Sequence, residues 1–229
     1  MIKLTLNFFV GSYSLLWNER TIISFMSKQI EIISDWLGAG SVNIFGRPFS
    51  GKDTQGRILA DLFGGTLIGG GDILRSHHDP KKIEQILAAG GIIPSDFYLG
   101  MVLPYLSRSN FKDKPLILSA VGRSHGEEDA IMKATTDSGH PMKAVVVLKL
   151  SEDEVWQRFE TAKTQHDRGD RTDDQSGALK TRLKKFQDNT EPVINFYRRN
   201  DLLIEVDGTL SREAVTAEIL NNLFSRASK

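Results

Sequence analysis

The stretch that decides the fold is Gly46-Arg47-Pro48-Phe49-Ser50-Gly51-Lys52-Asp53-Thr54. It follows SVNIF (41–45), typical of a short buried strand, and it leads into DTQGRILADLF (53–63), which predicts a helix. A glycine-containing turn between strand and helix lets successive backbone N–H groups face one concavity, beside the positive end of the helix dipole. Lys52 adds a mobile positive charge, so the stretch predicts a loop that holds the phosphates of a nucleotide.

One position departs from the strict phosphate-loop pattern, G-x-x-x-x-G-K followed by Ser or Thr. Asp53 follows the lysine instead. A carboxylate is repelled by phosphates, yet at a helix N-terminus it meets the favourable end of the dipole. Two interpretations stay open: Asp53 caps the helix, or it reaches Mg²⁺ through water.

Composition excludes several classes of protein. The 229 residues carry 29 Lys+Arg and 29 Asp+Glu, and this zero net charge argues against a dedicated nucleic-acid or anionic-membrane binder. With 40% hydrophobic and 25% charged residues the chain is typical of a globular protein with a sizeable core. It has no cysteine, which excludes disulfides, thiolate–zinc sites and a cysteine nucleophile.

The rest of the chain alternates between predicted strands and predicted helices, which indicates an α/β fold with a parallel sheet. Continuous apolar runs predict strands at 116–121 and 144–150, and LLIEVDG (202–208) predicts a last strand. Helical spacing predicts helices at 27–38, 80–89, 95–109, 152–164, 178–199 and 211–224.

The first residues allow three interpretations. MIKLTLNFFVGSYSLLW (1–17) has the lysine and apolar run of a secretion signal, but polar residues dilute the run and no cleavage site follows. Residues 1–25 are otherwise an amphipathic segment laid on the domain, or Met26 is the physiological start. No apolar run is long enough for a transmembrane helix.

The loop resembles the GxPGxGKGTQ loop of adenylate kinases and related nucleoside monophosphate kinases, and further motifs of that family follow in order. GGGDILR (69–75) resembles STGDLLR, AAGGIIPSDF (88–97) resembles AGxLVPDE, LILSAVGRS (116–124) resembles FLLDGFPRT, RGDRTDD (168–174) resembles GRxDD, TRLKKFQDNTEPVINFYRR (181–199) resembles RLxxYxxxTxPVIxYY, and VDGT (206–209) resembles the VDGT near the family's end. The resemblance covers residues 41–224.

The resemblance implies a P-loop NTPase-type doubly wound parallel sheet with two inserts. The domain would span 41–224, after an N-terminal extension and helix (1–40) and before a tail (225–229). An insert at 69–98 would bind the nucleoside monophosphate (NMP), and a short lid at 163–175 would close over ATP. The lid has no cysteine, so no zinc is expected. The implied reaction moves the γ-phosphoryl of ATP·Mg to an NMP, with AMP the family default, in a cytoplasmic monomer without nucleic-acid or membrane partners.

The family motifs also imply the site residues. The catalytic set is Lys52, Arg123, Arg158, Arg171 and Arg182. The ATP-binding set is Gly46, Phe49, Ser50, Gly51, Lys52, Asp53, Thr54, Arg158, Lys163 and Arg168. The NMP-binding set is Gly70, Arg75, Ile92, Ile93, Ala120, Arg123, Glu127, Arg171 and Arg182. Mg²⁺ would be reached through water by Asp53, Thr54 and Ser119. The lid arginines would be held by Asp173 and Asp174.

Four departures from the family motifs bear on the expected chemistry. Asp53 replaces a loop glycine, Ser119 replaces the acid that orders magnesium waters, and Gly70 replaces the threonine of STGD. Glu127 stands where a glutamine reads adenine, and an ionised carboxylate can only accept hydrogen bonds. It suits the N1–H and N2–H₂ donors of guanine, so a GMP kinase stays open, as do other acceptors and a non-catalytic nucleotide-binding module.

Overall fold

A computed structural model describes residues 19–76, 94–165 and 176–229. Its helices are α1 Glu19–Leu37, α2 Lys52–Phe63, α3 Gly70–Arg75, α4 Ser95–Leu106, α5 Glu128–Asp137, α6 Glu152–Gln165, α7 Ser176–Lys185, α8 Glu191–Arg199 and α9 Arg212–Ala227. Its strands are β1 Ser41–Gly46, β2 Thr66–Gly69, β3 Leu116–Ser119, β4 Met142–Lys149 and β5 Leu203–Asp207. A 3₁₀ turn spans Ser109–Phe111, and a π-helical turn spans Phe186–Thr190.

The strands form one parallel sheet in the order β2-β3-β1-β4-β5. Strand β1 lies between β3 and β4, so the chain leaves the centre of the sheet in both directions. In open α/β sheets this switch point opens a crevice at the carboxyl ends of the strands, and ligands bind there. Residues 46–54 leave β1 at this point. The predicted doubly wound parallel sheet is confirmed.

Helices cover both faces of the sheet because alternate residues of each strand point to opposite sides. From β1, Val42 and Ile44 pack against α1, α2 and α9, whereas Phe45 packs against α4, α5 and α8. Helix α1 contributes Ile33 and Leu37, which are fully buried. Burial of two such side chains stabilises the fold by about 1.5–3 kcal/mol each, which makes α1 part of the helix layer.

The observed elements differ from the predicted ones at several places. Strand β2 and helices α3 and α5 were not predicted, and α1 begins at Glu19, before the predicted start at residue 27. The predicted helix at 178–199 is divided by the π-helical turn into α7 and α8, because Pro192 in the first turn of α8 has no N–H to continue the ladder. The predicted helix at 80–89 lies outside the described residues.

Candidate active site

The turn after β1 is narrow and tightly curled. Gly51 (φ 85°) and Phe49 (φ 64°) both adopt the left-handed backbone region, and Lys52 begins α2 directly afterwards. A Cβ at Gly46 would lie 2.3 Å from the Ser50 oxygen, so only glycine fits there. This curl, next to a helix N-terminus, is the geometry that gathers backbone N–H groups around an anion.

The Phe49 side chain anchors the loop to two neighbouring helices. Its ring packs edge-on against Phe159 of α6, with 5.6 Å between centroids, and Phe159 packs edge-on against Trp156 at 5.7 Å. Leu179 and Leu183 of α7 complete the same buried cluster. The loop is therefore in contact with α6 and α7 through an aromatic side chain that the family pattern has as glycine.

Two of the predicted metal-ordering residues lie together at the end of β3. The Ser119 hydroxyl donates a hydrogen bond to Asp53 Oδ1 at 2.5 Å, and Lys52 Nζ lies 3.5 Å from Asp53 Oδ2. Burial raises the pKa of Asp53, but Lys52 and the Ser119 hydrogen bond outweigh it and hold the pKa below its ordinary value of 3.8. The carboxylate is ionised at neutral pH. Thr54, the third predicted residue, follows in the same turn.

The capping interpretation of Asp53 is wrong. Gly51 is the N-cap of α2, and no side chain caps this helix. The two oxygens of Asp53 instead meet Ser119 and Lys52. In the first turn the carboxylate still faces the favourable end of the helix dipole.

Three predicted cationic residues lie on the helices that hold Phe49. Arg158 of α6 donates to the Phe49 carbonyl at 3.2 Å and to the Gly208 carbonyl at 2.5 Å, so its guanidinium lies directly against the loop. Lys163, further along α6, is exposed, with its ammonium 4.5 Å from the centroid of the Phe159 ring. Arg182 lies partly buried on α7.

The predicted acceptor-side residues gather at the carboxyl ends of β2 and β3. A Cβ at Gly70 would lie 3.5 Å from the Ala120 carbonyl, so these two residues are close neighbours. Arg123 is exposed, and its carbonyl accepts a hydrogen bond from Thr190 at 3.0 Å. Arg75 is exposed at the end of α3, paired with an aspartate of the same helix at 2.5 Å.

Glu127 is buried, with only 3% of its surface exposed. One carboxylate oxygen accepts from the Ser95 hydroxyl at 2.8 Å and the other from the Ser124 amide at 3.2 Å. The carboxylate therefore ties α4 to the segment after β3. Each oxygen keeps a second lone pair for a further donor.

Sequence reasoning missed Asn43, which positions part of this site. Its side chain is fully buried in β1 and donates to the Val121 carbonyl at 2.8 Å, while the Val121 amide faces its oxygen at 3.4 Å. These contacts fix the segment between Ser119 and Arg123. The signal that could have found it is the single amide side chain within an apolar strand. Because a buried polar group needs a partner, such a residue predicts a specific hydrogen bond.

Several predicted residues lie outside the described part of the chain: Ile92, Ile93, Arg168, Arg171, Asp173 and Asp174. Within the described ranges, no group of three or more His, Cys, Asp or Glu side chains is placed to hold a metal ion. No helix of those ranges is both long and apolar enough to cross a membrane.

Comparison with known proteins decides the family. The family described as Adenylate kinase matches residues 44–202. The chain belongs to the adenylate kinase family. Similar proteins include the adenylate kinase of Parvibaculum lavamentivorans, 30% identical over 77% of this chain and 88% of its own. The adenylate kinase of Xanthomonas oryzae pv. oryzae is 31% identical over 77% of this chain and 95% of its own. That of Thermosipho melanesiensis is 27% identical over 79% of this chain and 98% of its own.

Membership of the adenylate kinase family makes the chain a nucleoside monophosphate kinase, an enzyme that moves a phosphoryl group from ATP to an NMP. The match includes the loop, the β3 end and helices α4 to α8. The predicted family resemblance is confirmed.

Proposed function

We propose that this kinase transfers the γ-phosphoryl group of ATP·Mg to AMP and forms two ADP. The observation that carries the proposal is the curled loop 46–54 at the switch point of the sheet, with Lys52 in the first turn of α2. The match to adenylate kinases over residues 44–202 supports AMP as the acceptor.

Phosphoryl transfer needs positioning and dispersal of charge more than covalent help from the protein. The bond from the γ-phosphorus to the β–γ bridging oxygen breaks as a bond forms to a phosphate oxygen of AMP. Lys52 would neutralise the β- and γ-phosphates. Arginines suit the transferring group because their planar fork matches phosphate oxygens bidentately. We assign this role to the predicted arginines within the described residues: Arg123, Arg158 and Arg182.

The oxygens beside the loop suit magnesium. Mg²⁺ prefers hard oxygen ligands, keeps several waters, and commonly uses one or two carboxylates together with substrate phosphates. The ionised Asp53 carboxylate and the Ser119 and Thr54 hydroxyls offer this donor set. These residues would hold the ion through water, and when bound it would neutralise phosphate charge.

An acceptor panel tests the proposal. Initial rates of the wild type are measured with ATP and AMP, GMP, CMP or UMP, and Lys52→Ala serves as the inactive reference. The highest kcat/KM is expected with AMP. Activity with GMP but none with AMP would show that GMP is the phosphoryl acceptor. The Glu127 carboxylate favours that outcome because it can only accept hydrogen bonds. Nucleotide binding without any transfer would overturn the kinase. The cytoplasmic location and monomeric state stay predictions.

A further inference from the structure

The hydroxyl of Tyr98 is buried without a regular hydrogen bond to any described residue. Tyr98 lies on α4 with 8% of its surface exposed, and its ring packs in the core between α4 and the sheet. Buried polar atoms in proteins are paired in the large majority of cases, so an unpaired one calls for a specific explanation. A partner that binds there would supply it.

The phenol oxygen lies at the ligand-binding edge of the sheet. A Cβ at Gly70 would be only 3.2 Å from it and 3.5 Å from the Ala120 carbonyl. These residues directly follow β2 and β3, whose carboxyl ends border the crevice. The Tyr98 hydroxyl thus lies beside the position where the family motif has a threonine, whose side chain is missing at Gly70.

Three groups set the electrostatics of this hydroxyl. Burial and the nearby Glu127 carboxylate raise the pKa of Tyr98 well above its ordinary value, only partly opposed by the Gly122 amide and Arg123. The phenol is therefore protonated at any physiological pH. Because the Gly122 N–H faces its oxygen, the O–H proton is the group left to donate.

We propose that Tyr98 is a specificity-determining residue whose hydroxyl donates a hydrogen bond to N1 of the acceptor adenine. This inference rests on the proposed AMP acceptor. Glu127 alone can accept from the adenine N6 amino group but cannot donate to N1. Tyr98, which is near enough to Glu127 for the carboxylate to raise its pKa, would supply that donor. Tyr98 and Glu127 would together replace the reading of adenine that the glutamine provides in the family motif.

The test compares the wild type with Tyr98→Phe, which removes one oxygen and keeps the buried ring. The KM for AMP and its calorimetric Kd are expected to rise roughly three- to tenfold, the range for loss of one neutral hydrogen bond. The KM for ATP should not change. A merely structural role of Tyr98 would not raise the KM for AMP alone. With 1-deaza-AMP, which lacks the N1 acceptor, the two proteins should bind equally well. Tyr105→Phe, on the same helix, is the matched control and should bind AMP like the wild type.

Unchanged AMP affinity in Tyr98→Phe would overturn the inference and leave the kinase proposal standing. If the wild type transfers phosphoryl to no acceptor, the proposed function fails, and the calorimetric comparison with AMP still decides the role of Tyr98. If GMP is the acceptor and AMP does not bind, the assignment to adenine N1 is wrong. Gly70→Thr in the Tyr98→Phe background restores a hydroxyl near the same place, and recovery of AMP affinity there would support the inference.

Discussion

The hydroxyl of Ser119 donates a 2.5 Å hydrogen bond to the carboxylate of Asp53, which ties the end of β3 to the first turn of α2. The family motifs have an acid at the first of these positions and a glycine at the second. In this chain the acid is on the helix, as Asp53, and the strand has a hydroxyl in its place, as Ser119. Because the two side chains touch, the negative charge stays in the same region although a different element carries it.

Glycine at position 53 together with aspartate at position 119 should restore the family arrangement. We expect Asp53→Gly to raise the Mg²⁺ concentration for half-maximal rate about tenfold, because hydrogen bonds to charged groups contribute on the order of 1.5 kcal/mol. The double variant Asp53→Gly/Ser119→Asp should recover most of the loss. Rates against Mg²⁺ concentration and calorimetric ATP affinity with and without Mg²⁺ measure both effects.

Asp61→Asn, which removes an exposed acid further along α2, is the control for a general loss of negative charge. It should leave the Mg²⁺ dependence as in the wild type. An Asp53→Gly enzyme with the same Mg²⁺ dependence as the wild type would remove this residue from the metal site.

The lowered pKa of Asp53 makes its contribution to stability depend on pH. A depressed folded pKa stabilises the protein above the unfolded value near 3.8, and this contribution is lost as the pH falls through the folded pKa. The side chain is 53% exposed, so the contribution should stay below about 1 kcal/mol. Urea denaturation of the wild type and Asp53→Asn between about pH 7 and about pH 3 should give curves that converge towards low pH. A difference in unfolding free energy that stays constant would show that the Asp53 charge is not stabilised by folding.

Lys52→Ala should strongly reduce turnover. Loss of the charge at the β- and γ-phosphates is expected to lower kcat about 100-fold or more, as for other groups that stabilise the transition state. Lys133→Ala on α5 is the control, since that exposed lysine pairs only with Asp137 of its own helix among the contacts described. Near-normal turnover in Lys52→Ala would exclude the lysine from the mechanism.

At position 49 the glycine variant should be more stable than the alanine variant, the reverse of the usual order. Phe49→Ala is expected to cost about 3 kcal/mol of unfolding free energy through lost packing. Phe49→Gly should be about 1 kcal/mol more stable than Phe49→Ala, because the left-handed φ of 64° suits glycine. Urea denaturation measures both. Leu179, in the same cluster but inside α7, is the control: Leu179→Ala should be more stable than Leu179→Gly. If Phe49→Ala were also more stable than Phe49→Gly, the left-handed backbone at position 49 would be contradicted.

The sequence predicted the elements whose signal is local. The strand 41–45 and the helix 53–63 have the right bounds within one residue because the apolar run and the glycine turns mark them clearly. Strand β2 was missed because TLIG is only four residues long, too short to show a period. Helix α5 was missed because its ten residues bury few apolar side chains.

The contacts that define the site depend on residues far apart in the chain. Asp53 and Ser119 are 66 positions apart, and no local pattern indicates that a helix residue meets a strand end. The position of the Tyr98 hydroxyl at the site was equally hidden, because a tyrosine in an apolar helix is typical of an ordinary core residue. Family motifs gave the positions of the arginines, whereas the pairing of Arg158 with two backbone carbonyls required the fold.

The row of edge-on rings from Phe49 through Phe159 to Trp156 connects the loop 46–54 to the Trp156 indole on α6. We expect phosphate binding to shift the loop backbone and, through the contacting rings, the partly exposed Trp156. In a variant that lacks Trp17 and Trp36, a change in tryptophan emission during nucleotide titration would then report occupancy of the loop without an attached dye.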